Sequence, residues 1–206
     1  MTLLEKLKQQ AQQAMRTAVV QGADALADAL QDAAAELAQK NYTVTFECLP
    51  ETLQQLQALP EAALNEPHHA AALSIAALCV YPKNRQAAEE MLHFLQGPRG
   101  LTGYDKQFLA DRFMGGRDYV PRSYFEGAVP ENGYTPKQPF SVTFFENPHS
   151  RQNIADGYIT LWVRSGGADS PREVKLRNKP STGQWFLWEQ FLLADIRKPA
   201  AEDPWA

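Results

Sequence analysis

Y158-ITLWV-R164, E173-VKL-R177 and W185-FLWEQF-L192 are three strand-length apolar runs in the last quarter of the chain, separated by segments rich in Gly, Pro, Ser, Asn and Asp. Short runs with turn residues between them predict an antiparallel meander, because each break supplies the backbone freedom or side-chain hydrogen bonding that reverses the chain. Upstream, Phe140 to Glu146 alternates and is read as the first strand of the same sheet. Its turn is Asn147 to Ser150, and Ser165 to Pro171 and Asn178 to Gly183 make the next two. Tyr42 to Cys48 is a further strand, with Val44 and Phe46 on one face and Thr43, Thr45 and Glu47 on the other.

Between these strands the period changes to that of helices. Leu53, Leu56 and Leu59 recur at helical spacing after Pro50 and stop at Pro60. Ala70 to Val80 is apolar on nearly every side, so it is expected to be the central buried helix of the core. Gln86 to Gln96 presents Met91, Leu92 and Leu95 and ends at Gly97 and Pro98. Thr102 stands three residues before Asp105 in a variant capping box, ahead of Phe108, Leu109 and Phe113, and Gly115 with Gly116 ends that helix. Residues 117 to 139, with four prolines and no period, form an irregular connection longer than most loops. The fold class is α+β: a helical layer, about 50 to 116, on a mainly antiparallel sheet, with the meander spanning 140 to 197 in one domain from 41 to 206.

Residues 1 to 40 read differently. Leu4, Leu7, Ala11, Met15, Ala18, Gly22, Leu26, Leu30, Ala33 and Leu37 make a thin helical stripe. It is either one helix on the order of 50 Å long or a hairpin in which Gly22 ends one helix and Asp24 caps the next. An Ala-rich stripe buries little area per residue, so this arm is expected to need a partner surface, on the same chain or on a second copy.

Composition excludes some function classes. The chain has 206 residues, 44% of them hydrophobic, 21% charged, and a net charge of -4 that is spread along its length. No basic face for nucleic acid is expected, and no run reaches the roughly 20 apolar residues of a membrane span. The first ten residues mix Glu5, Lys6 and Lys8 with leucines and lack the pattern of an export signal. Cys48 and Cys79 stand 31 positions apart without a Cys-x-x-Cys pair, and are read as buried, reduced thiols of a cytoplasmic protein.

The strings VPRSYFEGAVPENGYTP (120–136), RSGGADSPREVKLRNK (164–179), GQWFLWEQFLLADIR (183–197) and EDPWA (202–206) resemble a family of bacterial domains of unknown function. LPETLQQLQALPEAAL (49–64) and HFLQGPRGLTGYDKQFLADR (93–112) extend the resemblance over roughly residues 42 to 206. It implies a bacterial, cytoplasmic protein and brings no catalytic residue or ligand.

Candidate sites follow from residue chemistry. Ser165 to Arg172 has small residues that let backbone amides approach an anion, with Arg164, Lys175, Arg177 and Lys179 close in sequence. The same loop also reads as a hairpin connection in which Asp169 and Ser170 bond their own backbone. Arg122, Tyr124, Asn132 and Tyr134 of the connection offer donors and acceptors beside aromatic rings. On the alternative functional reading these residues line a ligand pocket between the connection and the loop, made by Arg122, Tyr124, Asn132, Tyr134, Arg164, Ser165, Asp169 and Arg172; the connection residues also read as only pinning the loop to the sheet. Trp162, Trp185, Phe186 and Trp188 are read first as core. His68 and His69 are adjacent and cannot share a metal as an i, i+4 pair would. His93 is read as a partly buried packing residue, and His149, near Glu146 and Asp156, is the one place where an imidazole and carboxylates meet in sequence. No catalytic, metal or cofactor signature is complete. The leading expectation is a non-enzymatic interaction or adaptor protein with a protein partner or a second copy of itself. A small-molecule or anion-binding protein, with a hydrolase among its forms, is the alternative.

Overall fold

Strand β1, Asn41–Phe46, opens the unit described by the computed structural model, which covers residues 39–203. The expected arm lies outside the described residues except for Gln39 and Lys40. β1 pairs antiparallel with β2, Phe140–Phe145, in full register from Asn41 opposite Phe145 to Phe46 opposite Phe140. β3 (Tyr158–Val163), β4 (Arg172–Lys179) and β5 (Gln184–Gln190) then follow in sequence order as the meander, giving one five-stranded antiparallel sheet. β2 and β3 meet only through Phe144 opposite Val163 and Phe145 opposite Trp162, and here the curled sheet turns.

The helices are α1 (Leu53–Gln57), α2 (Pro67–Val80), α3 (Arg85–Leu95) and α4 (Gly103–Phe113). α2 is the helix the sheet curls around: it packs on β1, β3, β4 and β5 and on α3. Nearly every residue from Ala70 to Val80 is buried, which explains an apolar helix without a polar stripe. Its one buried hydroxyl, Ser74, donates to the Ala70 carbonyl at 2.7 Å and so is satisfied within the helix. Val44, Phe144, Ile159, Leu161, Val174 and Leu176 supply the sheet side of the same core. The α+β reading thus holds, with a curled sheet in place of flat layers.

Four local expectations are corrected. Cys48 is exposed, because β1 ends at Phe46 and the chain bends away over Glu47 and Cys48. Cys79 is half-buried, with desolvation pushing its thiol up to about 12 despite Arg122 and Lys83 nearby. His93 is exposed rather than packed; its Nδ1 accepts the Leu101 amide at 3.1 Å and closes the turn between α3 and α4. In β5 a bulge at Trp188, opposite Lys175 and Leu176, shifts the side-chain parity beyond Leu187, while Trp185 and Phe186 on opposite sides of the regular part both pack against the core, so a strand alternating strictly from Trp185 to Gln190 is not found. The irregular connection folds into short 3-10 turns, and the one at Pro121–Tyr124 packs on α2.

Candidate functional site

The connection and the Ser165 to Arg172 loop do come together, and the contact is a dense hydrogen-bonded seam. The Gly166 amide donates to the Ser123 carbonyl at 2.9 Å and Ser165 Oγ donates to Ser123 Oγ at 2.7 Å. Gly166 is required at this point, since a Cβ would overlap the Ala128 carbonyl. Tyr124 donates to the Leu192 carbonyl at 2.6 Å and Tyr134 to the Arg197 carbonyl at 2.7 Å, pinning the segment after β5. Burial pushes the Tyr134 phenol up to about 12 and that of Tyr124 higher still, so both remain donors at neutral pH.

The other expected site residues are spent in the same way. Asn132 Oδ1 accepts from the Val129 and Thr135 amides, and its Nδ2 donates to the Gly127 and Thr135 carbonyls. Arg172 donates to the carbonyls of Ser170, Ala194 and Asp195. Asp169 pairs with Arg197 at 2.8 Å, and Arg122 with Asp118 at 3.3 Å. Arg164 lies 5.3 Å from the centre of the Phe145 ring. The seam brings Tyr124, Tyr134, Ser165 and Arg172 to one region and uses their polar groups to hold three segments together.

The histidine cluster is also accounted for. Glu146 takes Tyr42 and Arg151, while His149 Nδ1 meets Gln152 Nε2 at 2.7 Å, so the imidazole and the carboxylate do not engage each other. His68 stacks on Tyr42, with ring centres 4.6 Å apart. No group of three or more metal-ligating side chains occurs among the described residues.

An open groove instead lies between α4 and the end of β5, with a volume of about 440 Å³. Leu78, Leu92, Leu109 and Leu193 form its apolar floor, and Tyr104, Phe108 and Phe191 its walls. Tyr104 is 80% exposed and Phe191 54%, a marked departure for large apolar side chains. α4 is held in place by its start. Thr102 Oγ1 accepts the Asp105 amide, and Asp105 accepts the Thr102 amide, so the expected capping box is present. Arg99 adds bonds from its Nη2 to both Asp105 carboxylate oxygens, at 3.0 and 3.1 Å. Burial raises the Asp105 carboxyl, but the Thr102 bonds and Arg99 outweigh it and leave it below the usual carboxylate range. Lys106 reaches Glu89 at 2.9 Å and ties α4 to α3.

Gln96 is the polar exception in this region. It is only 8% exposed, it lines the groove, and its side-chain Oε1 accepts no hydrogen bond among the described residues. Gln96, Arg99, Leu187 and Trp188 also line a second cavity of about 430 Å³, under the Gly97–Arg99 turn. Gly97 has φ +58° and its α-carbon faces the Phe186 ring, so only glycine lets this turn lie on β5. Sequence reasoning read Phe186 and Trp188 first as core and set Arg177 and Lys179 beside the Ser165 to Arg172 loop, so it located neither space. One signal was present: Tyr104 and Phe108 form an i, i+4 row outside the Leu109 and Phe113 face, making the apolar surface of α4 wider than its packing needs.

No helix among the described residues is long and apolar enough to cross a membrane. Comparison with curated proteins and with solved structures found no match. The family model described as "Domain of unknown function (DUF6935)" matches residues 48–200, nearly the whole described unit, and the chain belongs to that family.

Proposed function

We propose that this is a non-enzymatic interaction or adaptor protein of the bacterial cytoplasm, and that the groove between α4 and β5 receives a short apolar segment of a partner protein. The observation that carries the reading is the exposure of Tyr104 and Phe191 on the two sides of an apolar groove. Aromatic side chains bury roughly 150 Å² or more each. Covering the exposed shares of Tyr104 and Phe191 at about 25 cal/mol per Å² contributes on the order of 5 kcal/mol before the costs of association. That is enough for a useful anchor when a polar rim adds specificity, and Arg99, Asp105, Arg112 and Glu189 supply such a rim. Arg112 lies 5.0 Å from the Phe108 ring centre and has no ion pair among the described residues, which leaves it available to a carboxylate of the partner.

The test uses the full chain, tagged, with Tyr104→Ser and Phe191→Ser made singly and together. Retained far-UV circular dichroism with loss of a reproducible partner is the expected result. If sedimentation shows self-association that the double variant abolishes, a second copy is the occupant. A partner retained in full by the double variant would remove the groove from the reading, and deletion of residues 1–40 would then decide whether the arm carries the interaction.

A further inference from the structure

We propose that the cavity under the Gly97–Arg99 turn is a binding site for a small organic oxyanion, a phosphate monoester or carboxylate carried on a compact apolar body. The site is distinct from the partner groove, although Gln96, Arg99, Leu187 and Trp188 line both.

Charge is the first argument. Arg99, Arg177 and Lys179 line this cavity, and no carboxylate does. The carboxylates nearby are engaged or turned elsewhere: Asp105 holds Arg99 from the groove side, and Glu189 faces Lys175 at 3.9 Å. Asp156 shares the neighbouring hollow with Arg177 and forms no ion pair with it. The Lys179 side chain makes no hydrogen bond or ion pair among the described residues, while its backbone carbonyl accepts from the Thr182 and Gly183 amides. Arg99 is already balanced by Asp105, but Arg177 and Lys179 form no ion pair among the described residues, and an anion placed between them relieves their repulsion.

Orientation is the second. Arg177 is held by rings, 5.2 Å from the Tyr158 centre and 4.8 Å from that of Trp188, and Arg99 is 5.7 Å from Trp188. A guanidinium positioned over an aromatic face is fixed in space while its N–H edge keeps its donors, the arrangement that receives an oxyanion in a forked pair. Arg99 commits its Nη2 to Asp105, but its Nη1 makes only a long bond, 3.4 Å, to the Trp188 carbonyl, so that end of the guanidinium keeps donors for a ligand.

The third argument is Gln96. A buried amide with an unpartnered end is costly, and here it lines the same cavity as the cations. Either end of the amide serves: the NH₂ donates to an oxyanion, and the carbonyl accepts from an N–H on the ligand body. Cations that only guard a free strand edge against aggregation would require neither a cavity nor this amide. Phe186, Pro98 and Leu187 supply the apolar surface, and the volume exceeds what a bare phosphate ion fills.

Isothermal titration of the full chain with phenyl phosphate, benzoate, inorganic phosphate and neutral benzamide tests the site. Saturable binding of phenyl phosphate or benzoate is expected, weakened roughly tenfold or more by Lys179→Gln and by Arg177→Gln, and unaffected by Tyr104→Ser in the groove. The stronger of the two aryl anions identifies phosphate or carboxylate as the preferred group. Absence of saturable binding by either, equal binding of benzamide, or full binding by Lys179→Gln would each overturn the proposal. Inorganic phosphate binding as tightly as phenyl phosphate would overturn the apolar body. Lys179→Gln carries the test if Arg177→Gln loses its fold, because Lys179 supports no other side chain.

Discussion

Gly166→Ala should be far more damaging than its position on the surface suggests. Gly166 is exposed, and substitutions at exposed positions typically change stability by about 0.5 kcal/mol or less. Its φ is not in the left-handed region, so alanine has no backbone objection. The objection is steric: the new methyl would sit 3.0 Å from the Ala128 carbonyl carbon and 3.3 Å from Val129 Cα, with the Ala128 oxygen nearer still. These are backbone atoms, so relief requires the loop and the connection to move apart. That movement stretches the Gly166 amide bond to Ser123 and the Ser165 to Ser123 hydroxyl bond, at about 1 kcal/mol each. Overpacking adds about 1 kcal/mol or more, and the smaller entropy of the unfolded alanine chain returns about 0.5 kcal/mol. The net loss is about 3 kcal/mol. Urea unfolding reads it directly: with a slope of about 2 kcal/mol per molar, the midpoint falls by about 1.5 M. Gly103→Ala is the control, since nothing lies within 4 Å of its added carbon and it opens α4, where alanine is neutral or slightly stabilising. A Gly166→Ala midpoint equal to wild type would mean that the seam is loose and that its residues are free for another role.

Two further outcomes follow from the chemistry of single groups. A chromogenic disulfide reagent should label the exposed Cys48 promptly in the folded protein and reach Cys79 only on unfolding, because the Cys79 thiol, raised to about 12 by desolvation, stays protonated; native labelling that persists in Cys48→Ser would refute this. On the acid side, Glu89 and Asp105 both titrate lower folded than unfolded: burial opposes this in each, but Arg85 and Lys106 act on Glu89, and Thr102 and Arg99 on Asp105. Their contribution is therefore present above the unfolded carboxylate range, about pH 4, and is lost as pH falls through the folded values. Asp105→Asn should cost about 1 kcal/mol near neutral pH through the weakened cap and show a shallower acid loss in thermal melts; an unchanged acid limb would contradict it.

The three meander runs are found within about two residues of their expected bounds, because alternation and turn chemistry are local properties. The same locality explains the capping box at Thr102 and Asp105 and the all-apolar α2, whose composition already states that something surrounds it. What local pattern does not contain is which surfaces meet. His93 carries the neighbours of a core residue in sequence, yet its ring stands at the rim, where it accepts the Leu101 amide. The bulge opposite Lys175 and Leu176 shifts the side-chain parity of β5, so the two faces assigned by alternation exchange partway along the strand. The expected site was read from residues able to bind, and such residues are equally able to bind each other. In the seam they do, and only the tertiary structure shows that Asn132 has spent both ends of its amide.

The two ends of β4 therefore differ in kind. At its start, Arg172 is saturated by three carbonyl-bearing residues, and the glycines of the preceding loop are small so that the protein can close on itself. At its end, Arg177 and Lys179 retain unspent donors beside Trp188, and the adjoining helix presents Tyr104 and Phe108 to an open groove. Saturated polar groups rigidify, whereas unpaired charges and exposed rings lower stability unless something binds them. On the proposed reading, a fold that closes one end so completely and leaves cations, a buried amide and aromatic rings unsatisfied at the other would carry its recognition surface at the open end, within reach of Gln96 from both sides.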